Sequence, residues 1–462
     1  MSGTIGPAPH SGPARPRSPR DGTLPTATTG STPPLTTTWR TPDVTFRISR
    51  SPAAALCVAA TVLLAASACS TGEGDLANEE PSAPQAEVTI TPEDGGSEVR
   101  PDSPIVVSAQ GGTITDVQVE QSVAEGQGDS GMTGTLNKDK TEWVSDWTLT
   151  PGSEVTVTAV AENEAGKETE VISEFSTAPA VEGQRLEIAN VVPAADEEVG
   201  VGMPIIVDFD LPVENKAQVE AAMEVTSEKP AQGAWNWVTD QQAVFRPEKY
   251  WEPGQRVDVN LHLAGVAAAE GVYGVEDREF SFQVGREQIT TIDEDEHHMT
   301  VERDGEVIKE FPVSLGMATT EAYTTTSGTH VTMEFQTNYR MSNDTLGVSP
   351  DSPEYYEEFV AYAVRISNSG EFLHTADWNY QLGEANTSHG CVNMSTADSQ
   401  WFYENSLLGD PVDITGTARE LEWNNGWGFW QRSWDDWVSN SATGEADDTS
   451  KPGTPGSPHF QE

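Results

Sequence analysis

The sequence predicts a mainly β fold, with two immunoglobulin-like β-sandwich modules followed by a third β-rich domain. The first observation is a series of short Val- and Thr-rich runs, separated by Gly, Asn or Asp, over residues 87–285. That spacing is typical of small sandwiches. The second is Asp304-Gly305 between two alternating runs, which favours a type I′ hairpin. The third is the Ser-Thr-Ala-Asp run at 395–398, which resembles a capping box and predicts one short helix.

The first 69 residues have the composition of a leader. Residues 1–46 are rich in Pro, Thr, Ser and Arg and predict a disordered extension, or a coding start that lies further along at Val44. Residues 47–69 join two arginines to an apolar stretch that is too short for a transmembrane helix, and favour an export signal. The signal ends in a lipobox-like Ala-Ser-Ala-Cys, so Cys69 is the predicted lipidation site. Ordinary cleavage after the A-x-A-like sequence is the alternative, because Ala66 stands where a lipobox usually has leucine.

The remaining organisation follows from composition shifts along the chain. The formal net charge of −49 argues against nucleic acid as a partner, since such binding needs a basic footprint. The two sandwich modules contain no plausible catalytic cluster and are expected to serve spacing and docking. The predicted segments are an acidic linker at 70–86, the modules at 87–180 and 181–285, the third domain at 286–417, a Trp-rich segment at 418–440 that packs on that domain, and a disordered tail at 441–462.

Cys391 is the residue with the clearest chemical potential. Of the three cysteines, Cys57 lies in the export signal and Cys69 at its end, so Cys391 is left as a free and reactive thiol. His389 and Gly390 precede it directly, and His374 lies 17 residues upstream. A histidine base and a glycine that admits backbone N–H groups suit covalent acyl transfer. A thiolate–imidazolium pair is expected to lower the pKa of the cysteine.

Two stretches carry a resemblance to a known family. Residues 374–378 (HTADW) and 386–393 (NTSHGCVN) resemble the signature of the L,D-transpeptidases, cell-wall enzymes with a YkuD-type catalytic domain. The resemblance extends to 400–403 (QWFY) and 409–412 (GDPV), and to the layout of the mycobacterial-type enzymes. It implies that Cys391 attacks the third stem-peptide residue, a diaminopimelate, and expels the terminal D-Ala. The side-chain amine of another stem then resolves the thioester into a 3→3 cross-link.

The resemblance also implies roles for single residues. His374 matches the base, and the carbonyl of Thr375, where serine is usual, orients the imidazole. His389 is expected to be structural, and the alternative is that His389 is the base. The oxyanion region and the substrate contacts are assigned by matching the family motif. They are His389, Gly390 and the Cys391 N–H for the oxyanion, and Tyr356 (or Tyr355), Met341, Trp378 and Asn393 for the substrate.

The expected partners are peptidoglycan stem peptides, β-lactams of the carbapenem type, and the outer face of the plasma membrane through a lipid anchor. We expect no metal and no cofactor, because His297 and His298 point to opposite faces of a strand and lack further ligands. Two alternatives stay open. The first is a related acyltransferase that trims tetrapeptides or exchanges terminal D-amino acids. The second is a non-catalytic lipoprotein that binds the wall.

Overall fold

The structure is a computed structural model that describes residues 84–122, 132–353 and 355–458. The predicted leader, its lipidation site Cys69 and most of the acidic linker lie outside the described residues. Within those ranges, no helix has the length and apolar character needed to cross a membrane.

The first module is a sandwich of two antiparallel sheets, ordered β1-β2-β5-β4 and β3-β6-β7. Its strands are β1 (Glu87–Thr91), β2 (Val106–Gln110), β3 (Gly112–Gln121), β4 (Gly134–Leu136), β5 (Glu142–Ser145), β6 (Glu154–Asn163) and β7 (Glu168–Ser176). Along β6 every second residue is buried, from Val155 to Ala161, because successive side chains point to opposite faces of a sheet. This alternation places one face of each sheet in the shared core and confirms the predicted sandwich.

The second module is a larger sandwich, with sheets ordered β10-β18-β15-β12 and β13-β14-β11-β9 and a small sheet β16-β17-β8. Its core holds the fully buried side chains of Trp235, Trp251, Phe245 and Phe282. The elements are β8 (Arg185–Leu186), β9 (Ile188–Val192), β10 (Glu198–Val199), β11 (Ile205–Phe209), α1 (Lys216–Ala221), β12 (Met223–Ser227), β13 (Gln232–Thr239), β14 (Gln242–Pro247), β15 (Gln255–Leu261), β16 (Ala267–Ala269), β17 (Val272–Gly274) and β18 (Arg278–Val284).

The third domain combines a six-stranded sheet, β21-β20-β19-β27-β22-β28, with a four-stranded sheet, β23-β24-β25-β26. Apolar residues from both sheets, among them Phe311, Val364 and Val392, fill the core between them. The elements are β19 (Gln288–Asp293), β20 (His298–Arg303), β21 (Glu306–Pro312), β22 (Thr326–Val331), β23 (Glu334–Ser342), β24 (Glu357–Arg365), β25 (Phe372–Thr375), β26 (Val392–Met394), α2 (Thr396–Asn405), β27 (Pro411–Thr415) and β28 (Arg419–Glu420).

Two local predictions in this domain are confirmed. Asp304 and Gly305 have φ values of 52° and 79°, the pair of positive angles that a type I′ turn requires. Ser395 caps α2, since its side-chain oxygen accepts a hydrogen bond from the Asp398 N–H at 3.2 Å. The helix therefore begins directly behind the strand that follows Cys391.

The Trp-rich segment packs on the third domain, as predicted, and also on the second module. Strand β28 pairs with β22 and the Gln431 side chain accepts from the Thr329 N–H at 2.8 Å, whereas the tryptophans pack against the second module and the segment forms α3 (Trp434–Ser439). Trp437 is fully buried, and its indole N–H donates to the Ala234 carbonyl at 2.9 Å. The guanidinium of Arg246, also in the second module, lies 4.7–5.5 Å from the rings of three tryptophans, Trp430, Trp434 and Trp437. A buried cation stacked on aromatic faces explains why the tryptophans gather here.

The predicted disorder of the tail is wrong for residues 441–458. Strand β29 (Asp447–Asp448) pairs with β13 and extends the sheet of the second module. The buried carboxylate of Glu220 accepts hydrogen bonds from the Ser441 hydroxyl, the Ala442 N–H and the Thr443 hydroxyl. These long-range contacts hold a polar segment that has too few apolar residues to fold by itself.

The second module and the third domain meet at a polar joint. Arg286 donates to both carboxylate oxygens of Asp410 at 2.8 and 2.6 Å. The backbone N–H groups of Gly200 and Gly202 donate to the carbonyls of Leu408 and Gly409 at 2.7 and 3.0 Å. A side chain at position 200 would lie within 2.3–2.7 Å of Asp410, so only glycine permits this approach. The joint fixes the loop that follows α2.

Candidate active site

Two parallel neighbouring strands position the predicted nucleophile and base. In the register of β25 and β26, His374 lies opposite Asn393 and Leu373 opposite Val392. Cys391 is two residues before Asn393, so its side chain points to the same face of the sheet as Asn393 and His374. Sequence positions 374 and 391 are therefore brought together by strand pairing across the loop that connects them.

His374 is held in the form that can accept a proton. Its ring is buried, and its Nδ1 lies 2.8 Å from the Thr375 carbonyl. A carbonyl only accepts, so Nδ1 carries the hydrogen and Nε2 keeps a free lone pair. Burial lowers the pKa of His374 to about 4, which keeps the ring neutral at neutral pH. The contact that was predicted for the Thr375 carbonyl is present, and the Thr375 hydroxyl is fixed in turn by Ser399 at 2.6 Å.

Cys391 is a neutral thiol in this structure. Its Sγ lies 3.5 Å from the Gly370 carbonyl, to which the thiol donates. Burial raises the pKa of Cys391 to about 12, although a hydrogen bond from the Phe372 backbone acts in the opposite direction. Among the described residues, no hydrogen bond joins Sγ to either candidate histidine. The expected thiolate–imidazolium pair is therefore wrong for the resting protein, because burial disfavours both charges.

His389 forms part of the wall of the cleft. Its ring is stacked on Tyr356, with centroids 5.0 Å apart, and meets the edge of Tyr323 at 4.5 Å. Desolvation lowers the pKa of His389. His389 is exposed and contacts two aromatic rings, so it can form part of the cleft wall. That His374 rather than His389 is the base stays a prediction.

Gly390 shapes the turn into the nucleophile. Its φ of +119° is a conformation that side chains rarely adopt. Its N–H donates to Ser388 Oγ at 3.1 Å, and its carbonyl accepts from the Thr325 hydroxyl at 2.8 Å. Because the Gly390 N–H already has a partner, it does not face an oxyanion in this state. The Cys391 N–H remains the predicted oxyanion donor.

The two candidate tyrosines have different surroundings. Tyr356 packs with Met341 and Cys391 in one apolar cluster, and burial, followed by the nearby Cys391, raises the pKa of Tyr356 to about 12. Tyr355 instead points outward, where its hydroxyl donates to Glu357 at 2.7 Å. Tyr356 is thus the tyrosine at the site.

The other two predicted substrate residues lie on either side of His374. The ring of Trp378 is 6.3 Å from the His374 ring and 47% exposed. Asn393 is buried beneath, and its backbone exchanges hydrogen bonds of 2.9 and 3.2 Å with Ser314. Trp378 is accessible to a ligand, whereas Asn393 lies deeper and braces the strand that carries Cys391.

A cleft of about 970 Å³ opens in front of Cys391. Sequence reasoning missed several polar residues in or beside it, because nothing in their local sequence distinguishes them from ordinary strand residues. Arg365 stacks on Phe372 at 4.3 Å and pairs with Glu334 at 2.9 Å. The other missed residues are Thr325, Glu371, Ser388 and Arg419.

Comparisons with known proteins agree with this geometry. A family model described as a bacterial Ig domain matches residues 96–267, and one described as the L,D-transpeptidase catalytic domain matches residues 287–414. The chain is 32% identical to L,D-transpeptidase 2 of Mycobacterium tuberculosis, over 86% of this chain and 96% of the relative. It is 32% identical to L,D-transpeptidase 5 of the same species, over 81% of each chain. Among solved structures, L,D-transpeptidase 3 of Mycobacterium tuberculosis with a faropenem-derived adduct is 27% identical, with a TM-score of 0.41 over 50% of this chain and 98% of that one.

Proposed function

The chain belongs to the L,D-transpeptidase family, and we propose that it joins peptidoglycan stem peptides by 3→3 cross-links through a thioester on Cys391. One observation carries the proposal. Cys391 lines an open cleft, and a neutral His374, whose free Nε2 can take a proton, lies buried on the same face of the parallel strand pair. A nucleophile, a tautomerically fixed base and room for a peptide are the parts that acyl transfer needs.

The first half-reaction forms the acyl-enzyme. As Sγ attacks the carbonyl carbon of the third stem residue, His374 Nε2 takes the thiol proton. The tetrahedral oxyanion receives a hydrogen bond from the Cys391 N–H. The imidazolium then returns its proton to the departing amine of D-Ala, which leaves a thioester. Charge appears only in the presence of substrate, because burial holds both groups neutral beforehand.

The second half-reaction decides the product. The side-chain amine of a second stem attacks the thioester carbonyl and loses a proton to His374, and the thiol leaves with that proton. Water in place of the amine gives a hydrolysed tripeptide, and a free D-amino acid gives exchange. The proposed acceptor is the diaminopimelate amine, which the family's activity implies.

Two further partners are part of the proposal. A carbapenem presents a strained amide carbonyl that the same thiol attacks, so the ring opens and a stable acyl adduct forms on Cys391. Lipidation at Cys69 would hold the enzyme at the outer face of the plasma membrane, next to its substrate. The lipobox-like sequence supports this location, and a Cys69→Ser variant that still fractionates with membranes in detergent-free buffer would contradict it.

A product assay tests the central proposal. The protein is incubated with a disaccharide-tetrapeptide, and the products are identified by mass spectrometry. A 3→3 dimer with loss of D-Ala is expected, and Cys391→Ala should give none. Tripeptide alone would indicate a hydrolase, and the absence of any product would favour a non-catalytic wall-binding protein. Both of those results contradict the proposal.

A further inference from the structure

A cluster of buried polar side chains lies next to the cleft and has no part in the reaction described above. It consists of Glu371, Thr326 and His330, whose side chains come from β22 and from the residue before β25. Thr326 and His330 are fully buried, and Glu371 is 5% exposed. Two ionisable groups that are buried to this extent need hydrogen-bond or charged partners, because an isolated buried charge is costly.

The hydrogen bonds of the cluster fix where a proton can reside. His330 Nδ1 lies 3.1 Å from the Gly328 carbonyl, so Nδ1 carries a hydrogen and Nε2 is the nitrogen that titrates. Nε2 is 2.8 Å from Thr326 Oγ1. The same hydroxyl oxygen is 3.0 and 2.9 Å from the two Glu371 carboxylate oxygens. Thr326 therefore stands between the two titratable groups and touches both.

The carboxylate end of the cluster lies at the same cleft as the nucleophile. Glu371 lines the cleft together with Cys391, and its charge adds to the burial that raises the pKa of the Cys391 thiol. The Thr326 N–H donates to a Glu371 carboxylate oxygen at 2.7 Å. The neighbouring Thr325 holds the Gly390 carbonyl, so the start of β22 braces both the carboxylate and the turn into Cys391.

Other charged groups face the cluster from the surrounding strands. Arg365 of β24 lines the cleft and is paired with Glu334, and its charge lowers the pKa of Cys391, against the larger opposite effect of the Glu371 charge. Arg419 of β28 lies beside Thr326 in register and is 3.7 Å from Glu422. Burial lowers the pKa of His330, and the charge of Glu371 acts against it. Asp413 of β27, opposite Thr329, acts in the same direction as Glu371 but more weakly. Glu371 is thus the charge of the cluster that is directed to the cleft.

We propose that Glu371, Thr326 and His330 form a single-proton site that controls how readily Cys391 ionises. When the site holds no proton, the Glu371 carboxylate opposes formation of the thiolate. When the site holds one proton, the net charge beneath the cleft is zero and the opposition is relieved. In this proposal Glu371 acts through the nucleophile, so it is a positioning residue.

The proton can reside on either of two groups within the site, His330 or Glu371. On His330, the Nε2–H donates to Thr326 Oγ, and the Thr326 hydroxyl donates to the Glu371 carboxylate. On Glu371, the carboxylic acid donates to Thr326 Oγ, and the Thr326 hydroxyl donates to Nε2. Moving the hydroxyl hydrogen together with the proton interconverts the two forms, with no change in the number of protons or electrons.

The test measures alkylation of Cys391 by iodoacetamide against pH in the full chain, read at the Cys391 peptide by mass spectrometry. The reagent reports the thiolate whether or not the protein cross-links stems, so this test can fail while the proposed function stands. The alkylation test depends only on the reactivity of Cys391. Glu371→Gln should react about tenfold faster than wild type at high pH, because one like charge moves a nearby pKa by about one unit. The two profiles should converge as the pH falls and the wild-type site takes up its proton.

Variants at the other two positions separate this site from a structural role. Thr326→Ser keeps the hydroxyl and should retain the wild-type profile. His330→Gln should move the point of convergence to lower pH, because Glu371 then holds the proton alone. A constant ratio between Glu371→Gln and wild type at every pH would overturn the proposal, as would equal rates throughout. Thermal unfolding of each variant shows which are folded, and the Ser and Gln substitutions are chosen to preserve volume and hydrogen bonding.

Discussion

The active-site cleft and the joint between the second module and the third domain both contain ionisable groups shielded from solvent. The groups at the joint are paired with an opposite charge, and those at the cleft are not. At the joint, Arg286 and Asp410 form a bidentate ion pair at 2.8 and 2.6 Å, supported by Gln288 at 3.2 Å. In the cleft, Cys391 and His374 have no charged partner in hydrogen-bond contact among the described residues, and burial keeps both neutral. Paired charges give a fixed geometry, whereas groups without a charged partner, a buried His374 and a half-buried Cys391, give a latent proton-transfer pair.

Of the variants proposed here, the one without the nucleophile should show the largest loss of activity, with little change in thermal stability. Cys391→Ala is expected to lower the rate of acyl-enzyme formation by at least about 10³-fold, since no other thiol is available in the described residues. The thermal midpoint should change little, because the thiol makes only one weak hydrogen bond. Intact-mass spectrometry and thermal unfolding measure the two quantities. An undiminished acyl adduct in the variant would identify a different nucleophile.

The two histidines of the cleft should differ in their contributions. His374→Ala is expected to lower kcat/KM by about 10²–10⁴-fold, the usual contribution of a general base. His389→Phe is the matched control, since phenylalanine can fill the space between Tyr323 and Tyr356, and we expect less than a tenfold loss. Steady-state kinetics on a stem tetrapeptide provide the measurement. The reverse order would make His389 the base.

Breaking the ion pair at the joint should affect stability rather than chemistry. Asp410→Asn leaves Arg286 without its buried partner, and a loss of about 3–5 kcal/mol in the free energy of unfolding is expected. Urea denaturation measures this loss. Asp102→Asn, which removes the partner of the exposed Arg100, is the control and should have no measurable effect. Equal effects at the two sites would show that burial of the Arg286 pair does not matter.

The neutral state of His374 predicts a specific pH dependence of stability. Its pKa is about 4 in the folded protein and about 6.5 when unfolded, so the unfolded chain binds more protons between these values. The neutral ring therefore contributes fully to the free energy of unfolding above pH 6.5. This contribution is lost as the pH falls towards 4, by about 3 kcal/mol in total. Urea denaturation of wild type and His374→Gln at several pH values isolates it. A difference between the two proteins that does not vary with pH would rule out a neutral buried ring.

The tail offers the smallest expected effect. Truncation after Asn440 removes three donors from the buried Glu220 carboxylate, and a loss of about 1–3 kcal/mol is expected. Activity per folded molecule should be unchanged, because these contacts lie in the second module. Truncation after residue 458 serves as the control. If both truncations leave the unfolding midpoint unchanged, the tail does not contribute to the module.

The parts of the fold that depend on local sequence were predictable. The Asp304-Gly305 hairpin and the Ser395 cap are formed by adjacent residues, and the alternation of β6 follows from one strand. The packing of the tryptophans on the second module was not predictable, because it depends on Arg246, which is nearly 190 residues from Trp434 and carries no local signal.

The site shows the same division. The histidine and cysteine that carry the chemistry belong to short motifs, so their identity could be read from the sequence. Their ionisation could not, because it depends on burial by strands from distant parts of the domain. Glu371 and His330 were likewise missed as a pair, since only the pairing of strands around Thr326 joins residues 41 positions apart.

The protonation state of His374 at rest is the most direct test of this account. The ¹⁵N chemical shifts of labelled histidine, assigned with a His374→Gln variant, distinguish a neutral ring from an imidazolium at pH 7. We expect a neutral ring with hydrogen on Nδ1, facing a thiol that is not ionised. An imidazolium at pH 7 that disappears in Cys391→Ala would show a preformed ion pair and contradict the account.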